Sequence, residues 1–185
     1  MELSQMHALE LIDFKNLSET DLKKVLQLRN LESVRVNMVQ QDIIDLDEHM
    51  AFCLSLKERT DKLCLCFKCD GHICGIINLS DIEHGQCDLG YYFVKKPFAG
   101  FTKACFLAMG GVAQKLGIRL FTIFVRQSNK KGLDFAKERL GAYYVKEDAD
   151  YVYFTLELHE YLKTHEAWAL DKINHVYTLT CNINI

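Results

Sequence analysis

Apolar positions change their period several times along this chain, and each change marks an element. Residues 8–14 (ALELIDF) have the apolar character of an opening strand. Ser18-Glu-Thr-Asp21 reads as a capping-box-like helix start, after which Leu22, Val25, Leu26 and Arg29 share one helical face. A mixed segment, 31–44, follows. Asp45 or Asp47 can cap a second helix, with Met50, Cys53, Leu54 and Leu56 facing inward. Residues 62–69 and 72–79 flank Asp70-Gly71, a strong two-residue hairpin signal, and a turn at His84-Gly85 leads to a third strand, 87–94. The three form an antiparallel meander. Residues 120–126 (LFTIFVR) are apolar on both faces, as a central strand is. Asn129 can cap a helix with Leu133, Ala136 and Leu140 inward, closed near Gly141. Residues 143–145 and 150–158 predict a last hairpin, with Val152, Phe154, Leu156 and Leu158 on one face. A helix over 161–170 and either a strand or a loose tail over 176–185 complete the chain.

The segment 86–117 organises the rest. It predicts a strand, a basic turn over 95–100, and a nearly all-apolar helix over 101–116. The amides from Phe98 to Lys103, with Gly100, Phe101 and Thr102 between them, can converge at the helix N-terminus with the helix dipole behind them, which suits an anion. Gly100 lets backbone approach a ligand closely, and Lys95, Lys96 and Lys103 add positive charge. Neither GxxxxGK[ST] nor GxGxxG occurs, so nucleoside triphosphates and dinucleotides are not the expected ligands.

At 185 residues the chain suits a single domain with a proper core. Its net charge of −3 argues against bulk nucleic-acid binding. No apolar run approaches the ~18 residues of a membrane span, and MELSQMHALEL lacks a signal-peptide pattern, so a cytoplasmic protein is expected. Cys66-x2-Cys69 has metal-ligand spacing, but only Cys74 and His72 lie near enough to complete a set. Cys64 and Cys66 alternate with Leu63, Leu65 and Phe67 like small apolar strand residues, so the eight cysteines read as reduced core residues and no metal is expected.

The element order β-α-α-β-β-β-α-β-α-β-β, with the glycine turn after the fourth strand, resembles the GNAT superfamily of N-acyltransferases over about residues 8–158, leaving 159–185 as an extension packed on the same domain. The resemblance implies an α/β, mostly antiparallel sheet with splayed fourth and fifth strands and helices on both faces. It also implies acetyl-CoA in the wedge, its pyrophosphate on the 98–103 turn and its pantetheine arm along Tyr92, Phe93 and Val94. Leu28-Arg-Asn30, Met38, Asp47-Glu-His-Met50, Gly75-Ile-Ile-Asn78 and Gly90-Tyr-Tyr92 resemble the N-acetyltransferases of pseudaminic acid biosynthesis, which act on a UDP-linked amino sugar. Three departures stand out. Pro97 replaces the usual Gln or Arg of the turn, Thr102 replaces its second small residue, and Ala136 stands where a tyrosine normally serves as general acid.

Acetyl transfer to an amine needs a neutral amine, a polarised carbonyl and a proton for the leaving sulfur. Direct transfer in a ternary complex needs no covalent intermediate. A fourth-strand amide near Tyr92 or Phe93 would meet the carbonyl oxygen. The base is to be sought among Glu83, His84, Asp88 and His49, and the acid among Tyr91, Tyr92, Tyr143 and Tyr144. Arg29, with Asn30, His49 and Asn78, is the expected substrate side, and Asn129 is both an N-cap and a pantetheine contact. The expected partner is a small sugar nucleotide, with a homodimer left open. Two other readings use the same scaffold, an acetyltransferase for a protein N-terminus or other small amine, and a CoA-binding module without catalysis.

Overall fold

Eight strands form one sheet in the order β6-β7-β5-β4-β3-β2-β1-β8 in a computed structural model that describes residues 6–172 and 175–183. The strands are β1 (His7–Asp13), β2 (Lys62–Cys69), β3 (His72–Glu83), β4 (Gln86–Phe93), β5 (Leu120–Arg126), β6 (Tyr143–Glu147), β7 (Tyr151–Glu157) and β8 (Tyr177–Asn182). β1 to β4 form an antiparallel meander, and β5, β7 and β6 a second antiparallel set. Asp70 and Gly71 both take positive φ, +51° and +77°, as the tight turn between β2 and β3 requires. The tail beyond the last helix is a strand, paired parallel with β1 from His7↔Tyr177 to Ile12↔Asn182. Residues 184–185 of the segment read as strand or tail lie outside the described residues.

Helices cover both faces. On one side lie α1 (Glu19–Arg29), α2 (Glu32–Arg35) and α3 (Leu46–Ser55). Ser18 Oγ accepts from the Asp21 amide at 3.1 Å and Asp45 from that of Glu48 at 2.8 Å, so the first helix and the second predicted one start on side-chain caps. Their apolar face meets Cys64, Cys66 and Ile76 through Leu22, Val25, Cys53 and Leu56. Leu54, expected inward, is 64% exposed. One turn earlier, His49 takes the inward place, because α3 presents positions 49 and 53 to the sheet.

On the other face α4 (Phe101–Lys115) packs Phe101, Cys105, Phe106, Met109 and Ala113 into the main core. Burying a phenylalanine fully is worth about 1.5–3 kcal/mol, so Phe101 and Phe106 hold the N-terminal turn of α4 firmly. The cysteines divide by strand parity. Cys64 and Cys66 face α1 and α3 whereas Cys69 and Cys74 belong to the α4 side, so the Cys66-x2-Cys69 spacing does not converge. Burial raises the thiols of Cys64, Cys66 and Cys69 to about 12, which keeps them protonated. α6 (Leu158–Lys172) is longer than predicted and joins the same core through Leu158 and Tyr161.

Two features position the site. β4 and β5 run parallel and pair only at Gln86↔Leu120, Cys87↔Phe121 and Asp88↔Thr122, after which they separate. Capped by Asn129, α5 (Lys130–Asp134) passes into one π-helical turn, Phe135–Arg139, where the Leu140 amide donates to the Phe135 carbonyl at 3.0 Å. A π turn is the usual way for a helix to absorb one extra residue.

Candidate active site

Where β4 and β5 part, the sheet opens into a cleft of about 360 Å³. Leu89–Phe93 form one wall and Ile123–Val125 the other; Asn129, Gly132 and Phe135 come from α5 and its π turn, and Ser33, Asn37, Met38 and Val39 from the segment after α1. The strand edge here has a definite polarity. The Gly85 carbonyl accepts from the Arg119 and Leu120 amides on the β5 side, whereas the Val94 amide donates to Cys74 at 2.8 Å on the β3 side. Because N–H and C=O alternate sides along a strand, Leu89, Tyr91 and Phe93 turn their backbone groups toward the cleft, and Tyr92 and Val94 turn theirs toward β3. Phe93 is therefore the residue of the expected trio whose amide can meet a ligand in the cleft. Tyr92 takes part only through its side chain, and the Val94 amide is already used.

Beyond the cleft a second cavity, about 720 Å³, opens at the N-terminus of α4 between Lys96–Lys103, Phe135, Arg139, Tyr161 and His165. Lys96, Thr102 and Phe135 line both, so the two are continuous. Gly100 has φ +85° and caps α4 with no side chain of its own. The Phe101 amide is taken by the Phe98 carbonyl at 3.1 Å, which narrows the predicted fan of six amides. Those of Thr102 and Lys103, in the first helical turn, have no acceptor within the helix. Phe98 itself is turned inward, stacked at 5.4 Å on Tyr177, and contributes backbone only.

The cleft side chains differ in face. Tyr91 packs on Phe106 at 5.0 Å and Phe135 at 5.5 Å, on the α4 side. Tyr92 faces α1 and α3, near Arg29. Burial raises both phenols above the usual tyrosine range, with Arg29 pulling Tyr92 back in part. Ala136, the position of the expected phenol, is wholly buried, and Phe135 is the residue that reaches the cleft.

Several predicted residues stand elsewhere. Glu83 and His84 are exposed, pair with each other at 3.1 Å, and sit at the β3–β4 turn, the closed end of the β4–β5 pair. From Gln86 to Tyr92 is about 20 Å of extended strand, so that turn does not reach the cleft. Tyr143 and Tyr144 are exposed on edge strand β6; Tyr144 packs on Phe154, and neither lines the cleft. Asp88 is part-buried at the last paired position, its carboxyl raised by burial. Asn78 lies opposite Gly90 on the α1 side without lining the cleft.

On the α1 side, Asn30 is occupied, donating to the Ile44 carbonyl at 2.8 Å and accepting from its amide at 3.0 Å. It clasps segment 36–45, whose carbonyls also take Arg29 (at Gln40), Arg35 (at Gln41, 3.0 Å) and Arg126 (at Met38, 2.8 Å). Sequence reasoning missed Ser33, Asn37, Val39 and Phe135. An arginine closing an apolar strand, Arg126, was the signal that a distant loop needed a donor. Arg29 keeps one buried nitrogen, Nη1, unpartnered among the described residues, and burial lowers its guanidinium pKa.

His49 is 6% exposed, and its Nε2–H donates to the Leu22 carbonyl at 3.0 Å with the Cys53 sulfur 3.5 Å away. This is a packing role, remote from the cleft lining. Burial pushes the ring below the ordinary histidine value of about 6.5, against the Leu22 hydrogen bond. The unfolded chain takes up this proton first, so the stability tied to His49 is complete above about pH 6.5 and is lost as pH falls through the folded value. Asp13, raised by burial, works in the opposite sense. His49→Gln is therefore expected to flatten the fall of Tm between pH 7 and pH 5 relative to wild type. An unchanged slope would remove His49 as its source.

No protein-family model matches the chain, and no curated protein matches it in sequence. Solved structures do. The Campylobacter jejuni N-acetyltransferase PseH in complex with acetyl coenzyme A is 19% identical over 80% of this chain and 98% of its own, with TM-score 0.64. FdhC, a nucleotide-linked sugar GNAT, is 17% identical over 89% and 93%, with TM-score 0.71. Spermidine N-acetyltransferase from Vibrio cholerae in complex with CoA and spermine is 15% identical over 83% and 98%, with TM-score 0.69. The predicted α/β architecture, with its parted fourth and fifth strands, is thus borne out, and the fold of this chain is that of the GNAT N-acetyltransferases.

Proposed function

We propose that the chain is an acetyl-CoA-dependent N-acetyltransferase that acts by direct transfer in the cleft between β4 and β5, with a UDP-linked amino sugar as acceptor. The residues present suit the cofactor. A strand edge free beyond Asp88 offers backbone at Leu89, Tyr91 and Phe93 to an extended amide-bearing arm. First-turn amides at Thr102 and Lys103, with Lys96 and Lys103, suit a pyrophosphate. When bound, the cofactor supplies an activated acyl thioester. The Phe93 amide places a donor at the cleft edge, the Tyr91 phenol holds a proton on the α4 side, and Phe135 with Ile123 and Val125 excludes water.

The acceptor class is carried by one observation, the charge of the cleft lining. Among the described residues lining the cleft none is acidic, and Lys131 adds a cation to the Lys96 that suits the pyrophosphate; Arg29 stands behind Tyr92, outside the lining, with its buried Nη1 unpartnered among the described residues. A polyamine would require carboxylates; a nucleotide diphosphate suits cations. The nucleotide-linked sugar described for FdhC agrees with this, and the pseudaminic acid pathway is the specific assignment we favour. Turnover of acetyl-CoA should be measured against UDP-amino sugars, spermidine and an N-terminal peptide. Turnover only with spermidine or the peptide would replace the sugar, and no turnover with any would favour a CoA-binding module. Because a charge-assisted bond is worth about 1.5–3 kcal/mol, Arg29→Gln is expected to raise the acceptor KM at least about tenfold, with CoA affinity unchanged.

A further inference from the structure

We propose that α6, from the extension beyond residue 158, forms the 3′-phosphate subsite of the coenzyme through Arg139 and His165. This rests on the acyl-CoA reading above. The second cavity continues past the α4 N-terminus and ends against α6, whose Tyr161 and His165, four residues apart, form its far wall. The two rings pack with centroids 4.5 Å apart, and His165 Nδ1–H donates to the Tyr161 carbonyl at 2.8 Å. That bond sets the tautomer and leaves Nε2 with no protein partner among the described residues. Arg139, at the end of the π turn, lines the same cavity, exposed and without an ion pair among the described residues. Lys96 and Lys103 add charge nearer the turn; Glu138 lines this cavity too, and Arg139, Tyr161 and His165 also border an adjoining one that holds Glu157 and Glu160.

The helix is also fastened to the turn. Trp168, one turn beyond His165, lies so close on Gly100 that a Cβ there would come within 2.4 Å of its ring, and Lys103 Nζ sits 5.2 Å from the ring centroid. α6 is thereby held in register with the amides suited to the pyrophosphate. Beyond the groups suited to the diphosphate, a second phosphate dianion would meet the Arg139 guanidinium and, when the ring is an imidazolium, an N–H at His165 Nε2.

CoA and 3′-dephospho-CoA differ by that phosphate alone. Their binding to wild type, Arg139→Gln and His165→Gln should be measured by calorimetry, and followed by the fluorescence of Trp168, the only tryptophan in the chain. Wild type is expected to prefer CoA at least about tenfold. In Arg139→Gln the CoA affinity should fall to near that of dephospho-CoA, with the latter unchanged; His165→Gln should reduce the preference in part. Equal binding of the two ligands by wild type, or equal losses for both in the variants, would overturn the subsite while leaving the coenzyme reading intact. Failure of wild type to bind either ligand would overturn both.

Discussion

Gly100→Asp is expected to abolish measurable CoA binding, lowering affinity by at least about a hundredfold. Three effects act together, and they differ in origin. The backbone stands at φ +85°, where a β-carbon is strained by about 1–2 kcal/mol. Any Cβ would also come within 2.4 Å of Trp168, so either the turn or α6 must shift. The carboxylate then places negative charge at the positive end of α4, beside the Thr102 and Lys103 amides. Gly100→Ala separates these contributions, since it keeps strain and collision and adds no charge. Its loss should be smaller, and the difference between the two variants reads the electrostatic part. Calorimetry checks both, with Tm in the absence of ligand as the control for folding. Near-normal CoA affinity in Gly100→Asp would mean that the turn does not hold the phosphates.

Most elements were legible because they depend on short-range rules. Ser18 and Asp45 announce helix starts, Asp70-Gly71 permits one tight turn, and the apolar run of β5 has no exposed face to offer. The hidden part of the site depends on contacts distant in sequence. Segment 36–45 has no periodicity, and arginines at positions 29, 35 and 126 fold it over the cleft by reaching its carbonyls. Asn30 looked like a substrate ligand because it follows Arg29, yet both ends of its amide are spent on Ile44. His49 looked like a base at a helix start. Its spacing from Cys53 places it on the buried face instead, where the Leu22 carbonyl takes its proton. Glu83, His84 and Tyr143 misled for a different reason, since position along a strand decides which end of the sheet a side chain reaches.

Position 136 departs from the expected phenol in orientation as well as in residue type. Counting from Asn129 brings Ala136 to the phenol position, yet Ala136 points into the core and Phe135, one residue earlier, lines the cleft; the π turn that follows takes up one residue before Leu140. Phe135 carries no proton to give. The Tyr91 hydroxyl comes from the ring packed against it, on the same side of the cleft. On the proposed reading, β4 supplies the phenol that the helix lacks.

Tyr91→Phe is accordingly expected to lower kcat by at least about tenfold, general-acid help being worth typically about 10²–10⁴-fold, with CoA affinity unchanged. Burial raises this phenol, so it stays protonated through pH 9, and kcat should show no alkaline fall from its ionisation. Tyr92→Phe should behave differently, because its ring faces Arg29 on the acceptor side; a raised acceptor KM is its expected signature. Tyr143→Phe and Tyr144→Phe should leave turnover as it is, being exposed on β6. Ala136→Tyr is a poor converse test, since a phenol cannot enter a site with no exposure without disrupting the core. Phe135→Tyr adds a single oxygen at a residue that already lines the cleft. If Tyr91 supplies the proton, Phe135→Tyr should change wild-type turnover little and should restore it in Tyr91→Phe. Full activity in Tyr91→Phe alone would assign the proton to water and end the phenol's claim.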